Sequence, residues 1–212
     1  MHTVLVAMGL FALTFMSPGP NLLIVVQSSL SHGRAAGVAA GLGVAAGDAI
    51  YAALGLFGMA ALISTGGLVF SAIKIAGGLY LAWYGLRLVR GRKRSGGNIP
   101  ASAGTVAASR VSYGALFRRG LLTDLANPQT VLFFASIFSV TITPDTDWGI
   151  RLGIWLGLVL TSIVWRVLVS YAFSRPLVRQ GYFRLQPVFE RLVGVALTGF
   201  GLKLLYQGLA RR

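Results

Sequence analysis

Leu13-Thr14-Phe15-Met16-Ser17-Pro18-Gly19-Pro20-Asn21 interrupts the first long apolar stretch of the chain, which carries no charge from Val4 to Ser31. Each proline removes a backbone donor and clashes with the preceding turn, so Pro-Gly-Pro cannot continue an ordinary helix. In hydrocarbon such a break is tolerated only where protein or a water-filled cavity receives the freed polar groups. Leu122-Thr123-Asp124-Leu125-Ala126-Asn127-Pro128-Gln129 interrupts the first apolar stretch of the second half at a similar depth. Matching interruptions in two halves of a chain mark the binding region of secondary transporters. Pro128 taken alone is equally well read as an isolated kink.

Composition places the chain in a membrane. Of its 212 residues 55% are apolar and only 11% charged, against roughly 25% charged in soluble domains. Uncharged runs also cover Ala49 to Ile73 and Leu125 to Pro144, each near the roughly 20 residues that cross a bilayer. The N-terminal run has no basic flank and no small-x-small cleavage pattern, so it is expected to be a span and not a cleaved signal peptide. The chain has no cysteine, which excludes thiolate metal sites and cysteine catalysis.

Apolar runs and their Gly, Ser, Pro and charged punctuation predict an all-α polytopic membrane protein. Its six transmembrane helices cover about 4–30, 36–63, 68–89, 116–142, 149–173 and 187–209. A first three-helix repeat (1–90), a basic linker (91–115) and a second three-helix repeat (116–212) follow from this division. The net charge of +14 comes largely from Arg34, from the linker and its flanks, and from Arg175, Arg179, Arg184 and Arg191 between the last two spans. By the positive-inside rule these loops are cytoplasmic, and the charge calls for no nucleic-acid partner. Three spans per half give the halves opposite orientations, hence an inverted 3+3 repeat with helices 1 and 4 broken.

Ser17-Pro18-Gly19-Pro20, the Gly-rich second span, Lys74-Ile75-Ala76-Gly77-Gly78-Leu79-Tyr80-Leu81 and Asn127-Pro128 resemble the LysE/RhtB superfamily of amino-acid exporters over nearly the whole chain. The stretches at 77–85 and 120–128 are most similar to the threonine/homoserine branch. The resemblance implies efflux of small amino acids coupled to the proton gradient across a bacterial inner membrane. Gln129 stands where that family usually has lysine.

The residues themselves suggest how a site is built. A broken helix exposes N–H groups and a positive dipole end to a carboxylate, and carbonyls at the complementary end to an ammonium. A zwitterion fits such poles, so Ser17, Pro18, Gly19, Pro20, Asn21, Asn127, Pro128 and Gln129 are the expected substrate-binding residues. Simple capping of the freed backbone is the competing role for Asn21, Asn127 and Gln129. Asp48 lies near mid-span, where a carboxylate costs roughly 2.5–3.5 kcal/mol to insert. Gly37, Gly41, Val44, Asp48, Tyr51, Ala52 and Gly55 share its helical face, and small residues there turn it inward. Asp48 and Asp124 are the candidates for proton coupling, with a structural hydrogen bond as the other role open to Asp48. Asp124 and Arg166, at comparable depths, are the expected gate or ion pair.

His2 and His32 lie at segment ends and suggest no metal site, no cofactor is expected, and no nucleophile–base constellation points to an enzyme. Gly-x₃-Gly motifs serve internal packing or a homodimer. The partners expected are thus a small amino acid, protons and the lipid bilayer. An uncoupled channel or uniporter, and an assembly factor without transport, are the rival readings of the same breaks.

Overall fold

The computed structural model describes Gly9 and residues 19–58, 67–90, 112–141 and 146–209. Ser17 and Pro18, and most of the basic linker, lie outside the described residues. All described elements are helical: α1 (Pro20–His32), α2 (Arg34–Ala53), α3 (Gly67–Val89), α4 (Tyr113–Leu125), α5 (Pro128–Thr141), α6 (Trp148–Ala172) and α7 (Pro176–Leu209). A π-helical turn, Leu54–Gly58, extends α2.

The two interruptions are helix starts. Gly19 is the N-cap of α1 and is extended, with φ −97° and ψ 179°, and Pro20 opens the helix. Asn127 plays the same part before Pro128, accepting from the N–H of Thr130 and Val131. Proline suits a first helical position because its missing donor would have no partner there. The expected span 4 is therefore two half-helices, α4 and α5, joined at Ala126 and Asn127.

Two stretches among the described residues reach the length and apolarity of a membrane span, Arg34–Gly58 and Trp148–Ala172, while Ile75–Val89 is apolar but shorter. Half-helices of 13 and 14 residues fall below that length individually. The α6 surface has the pattern of a lipid-facing helix. Leu152, Leu156, Leu160, Val164 and Leu168 are exposed in a row, whereas Arg151, Ser162, Arg166 and Ser170 are buried. In water the order would be reversed.

α2 is the central helix, packed by α1, α4 and α6. Its glycines serve two faces. Gly37 meets Ser29 of α1 and Ser170 of α6, and Gly41 meets Val25 and the stem of Arg166. Gly43 and Gly47 face α4, where a Cβ would overlap the Phe117 carbonyl and the Asp124 carboxylate respectively. From α4, Gly120 meets the Ala40 carbonyl in return. Contacts progress from Gly43 beside Phe117, through Gly47 beside Asp124, to Tyr51, whose Oη donates to the Leu125 carbonyl, so α2 and α4 run parallel. Contacts of α2 with α6 run the other way, from Gly37 beside Ser170 to the Ala49 carbonyl, which accepts from Trp155 Nε1 at 2.9 Å.

The second seam joins α3 to α7, antiparallel. Gly78 lies against Gly201 and Gly85 against Gly194, each so close that a Cβ would meet the opposing carbonyl oxygen at 2.9 Å or less. Leu81, Val193, Leu197 and Leu204 from this pair join Phe133, Phe134, Ile137 and Phe138 of α5 in one core cluster. A second cluster, with Val25, Val44, Leu116 and Val169, ties α1, α2, α4 and α6 together.

The stretch between the last two expected spans is helical, a correction to its reading as a loop. α7 runs 34 residues from Pro176, with Pro187 inside it. Gln186 Nε2 donates to Glu190 Oε1 at 2.9 Å across Pro187, and the Tyr182 ring packs edge-on against Phe173 at 4.9 Å. Side-chain contacts of this kind hold the first turns helical where charge punctuation alone suggests an end.

Gly85→Val is expected to destabilise the protein by about 1–3 kcal/mol, since the added atoms meet backbone that cannot yield. Gly153, beside which an added Cβ meets nothing within 4 Å, is the matched control. Gly153→Ala should leave thermal unfolding in detergent unchanged or slightly raised, while Gly85→Val lowers it.

Candidate substrate and coupling site

The two proline-led helix starts lie side by side. A Cβ on Gly19 would stand 3.3 Å from Gln129 Oε1. Asn21, in the first turn of α1, reaches across with Nδ2, donating to Asp124 Oδ1 at 2.5 Å and to Thr130 Oγ1 at 3.3 Å. Thr130 Oγ1 in turn donates to Asp124 Oδ1 at 2.9 Å. Asp124 is fully buried at the end of α4, so this cluster joins the C-terminus of one half-helix to the N-termini of two others.

The helix ends differ in how they are satisfied. Asn127 Oδ1 accepts from the Gln129 N–H at 3.1 Å, a side-chain cap of the first turn of α5. Gly19, the N-cap of α1, has no side chain to offer, so among the described residues its first turn keeps the more open positive end. At the end of α4, Tyr51 Oη of α2 donates to the Leu125 carbonyl at 2.6 Å. Capping is therefore the observed role of Asn127, whereas Asn21 spans the two breaks.

Asp48 forms a separate cluster on the face of α2 turned toward α6. Ser162 Oγ donates to its Oδ2 at 2.6 Å, and Arg166 Nη2 stands 3.4 Å from the same oxygen. All three are at least 95% buried. A buried carboxylate facing a guanidinium offsets part of the large cost of taking both out of water. Gly41 makes this possible by leaving room for the Arg166 Cβ.

Arg166, expected opposite Asp124, forms its ion pair with Asp48. Depth from the membrane boundary was the wrong guide, because α2 stands between α4 and α6. Asp124 belongs to the α4 seam and Arg166 to the α6 seam. The two clusters are nonetheless neighbours. Gly47, adjacent to Asp48 in the chain, lies directly against the Asp124 carboxylate, and Asp124 is within electrostatic reach of both Asp48 and Arg166.

Sequence reasoning missed Ser162 and Thr130. Ser162 precedes Arg166 by four residues, which puts both on one helical face, and that spacing was a usable signal. Thr130 is the third residue of α5 and could have been found once Pro128 was taken as a helix start. Gly47 belongs to a Gly-x₃-Gly packing motif with Gly43, and only its place against the Asp124 carboxylate depended on which helix packs there.

A family model described as LysE type translocator matches residues 12–208. The chain belongs to the LysE type translocator family. It is 48% identical over 212 residues to the "Uncharacterized membrane protein YahN" of Escherichia coli (strain K12), covering 100% of this chain and 93% of that one. It is 32% identical over 191 residues to the threonine efflux protein of the same strain, covering 90% and 91%. The leucine efflux protein of Salmonella choleraesuis (strain SC-B67) is 31% identical over 196 residues, covering 88% and 87%. No solved structure matches the chain. Membership of this family makes the chain an integral membrane translocator, and its similarity to efflux proteins extends over nearly the whole length.

Replacing one member of the buried pair should cost far more than replacing both. Arg166→Met leaves Asp48 without its guanidinium and is expected to destabilise by about 3–5 kcal/mol, part of which Asp48→Asn recovers in the double variant. Unfolding of the four proteins in detergent measures the coupling. Asn127→Ala should cost about 1 kcal/mol by removing the α5 cap, read by the same assay.

Proposed function

We propose that the chain is a secondary active exporter of small neutral amino acids, threonine- or homoserine-like, driven by inward movement of protons across the bacterial inner membrane. One observation carries this reading: the two proline-led helix starts adjoin, and Asn21 of one reaches the Asp124–Thr130 pair of the other. A zwitterion set between them would place its carboxylate at the open first turn of α1, beside Gly19, Pro20 and Gln129. Its ammonium would face the carboxylate end of α4. Names borne by relatives agree with a small amino acid, since one is a threonine and another a leucine efflux protein.

The inverted repeat belongs to the same proposal. With basic loops cytoplasmic, six alternating spans require α2 and α4 to point the same way, α2 and α6 opposite ways, and α3 and α7 opposite ways. The packing directions agree with all three requirements. Second helices of the two halves pack together as α2 and α6, and third helices as α3 and α7, a pairing natural to a two-fold relation between 1–90 and 116–212. Alternating access would rock one half against the other about the breaks. Among the described residues, Asp48 and Asp124 are the two buried carboxylates available to the coupling step, and Arg166 would hold Asp48 between cycles.

Proteoliposomes with an imposed pH gradient and a panel of labelled amino acids test the proposal. Threonine, homoserine or a similar small neutral amino acid should accumulate only when the gradient is present. Asp48→Asn should abolish gradient-driven uptake into inverted vesicles. Flux that ignores the gradient and survives Asp48→Asn would favour an uncoupled channel, and no movement of any amino acid would overturn the transport reading.

A further inference from the structure

The two carboxylates within the bundle are not equivalent. Asp48 is occupied: Oδ2 accepts from Ser162 and faces Arg166, both on α6. Asp124 is occupied on one side only. Its Oδ1 accepts from both Asn21 and Thr130, while Oδ2 is buried without a hydrogen-bond partner among the described residues. Asn21 Oδ1 is in the same condition. Both unmatched atoms are acceptors, and they belong to side chains already bonded to each other. A buried acceptor left unmatched costs about 1–3 kcal/mol, more when the group is charged. The cluster is therefore short of donors, and a species bringing N–H or O–H groups is the one that completes it.

We propose that Asp124, gripped by Asn21 and Thr130 where α1, α4 and α5 meet, is the carboxylate on which a proton and the ammonium group of the transported amino acid exchange. The inference rests on the transport reading above and assigns the coupling step to one side chain. A proton on Oδ2 turns that oxygen into a hydroxyl donor. An ammonium group brings three donors, enough for Asp124 Oδ2 and Asn21 Oδ1 together. The two cannot occupy Oδ2 at once, so loading one expels the other, which is the requirement for antiport.

The groups facing Asp124 define what tunes this exchange. α2 contributes Asp48 and Tyr51, α6 contributes Arg166, and α1 and α5 contribute the neutral Asn21 and Thr130. Asp48 is then a positioning residue that keeps the Arg166 guanidinium on the face of α2 turned toward α6. Released from Asp48, that guanidinium is the nearest cation to Asp124 among these groups and would occupy it in place of substrate or proton. Gly47 sets the remaining boundary, since Oδ2 fits only where α2 has no Cβ.

The test uses the full chain in liposomes, with infrared titration of the protonated-carboxyl band, with and without L-threonine and L-leucine. In the parent protein the band should be present at acid pH and be removed by at least one of the two amino acids, whose binding should weaken as pH falls. Asp124→Asn should lose the band and flatten the pH dependence of binding at least tenfold, while Asp124→Glu should keep both with a shifted midpoint. Asp48→Asn should lose gradient-driven uptake, and Asp48→Asn with Arg166→Gln should regain it, whereas Arg166→Gln should not rescue Asp124→Asn. A band that survives Asp124→Asn in a variant with the parent's unfolding temperature would overturn the assignment, as would a band that neither amino acid removes. The infrared arm reads the site even if the labelled panel finds no transport, so failure of the site and failure of the transport reading are told apart.

Discussion

The arrangement depends on α2 lacking side-chain bulk on two of its faces. Gly43 lets α4 approach until backbone meets backbone, Gly47 makes room for the Asp124 carboxylate, and Gly37 and Gly41 admit side chains of α1 and α6. Close approach brings the dispersion contacts that hold helices together where lipid supplies no hydrophobic driving force between them. It also sets distances for the polar groups. The Asp48 carboxylate reaches Ser162 and Arg166 because α6 lies against Gly41, and Asp124 is enclosed because α4 lies against Gly47. A methyl group at either position would move a charge as well as a helix.

Prolines at helix starts do the complementary work. An intact helix through either interruption would satisfy every backbone group internally and leave nothing for a ligand. Starting afresh at Pro20 and Pro128 gives two first turns within reach of one another. Asn127 closes one of these turns with its own side chain, while Gly19 has none to offer α1. Among the described residues the two helix starts thus differ electrostatically through a single side chain.

Much of this was legible in the sequence, because membrane length, proline chemistry and small-residue faces are local properties. The breaks, the inward face of Asp48 and the family resemblance could all be read from neighbouring residues. Partner choice could not. Arg166 was matched to Asp124 by depth, and a depth along one helix says nothing about which helix stands between. The extent of α7 was misjudged for a related reason. Arginines and Pro187 read as punctuation, while the contacts that keep the segment helical, Phe173 with Tyr182 and Gln186 with Glu190, involve residues with no mark of their own. Of the candidate residues, Gly19, Pro20, Asn21, Asn127, Pro128 and Gln129 converge at one place, with Asp124 among them and Asp48 on the face of α2 turned toward α6.

At 1.5 Å per residue, the 34 residues of α7 make a rod about 51 Å long, against a hydrocarbon layer of about 30 Å. A rod longer than that layer can keep its early turns, where Arg184 is exposed, outside the hydrocarbon. α3 is joined to α7 through glycines with almost no deformable matter between them, so the two helices are expected to move as one body.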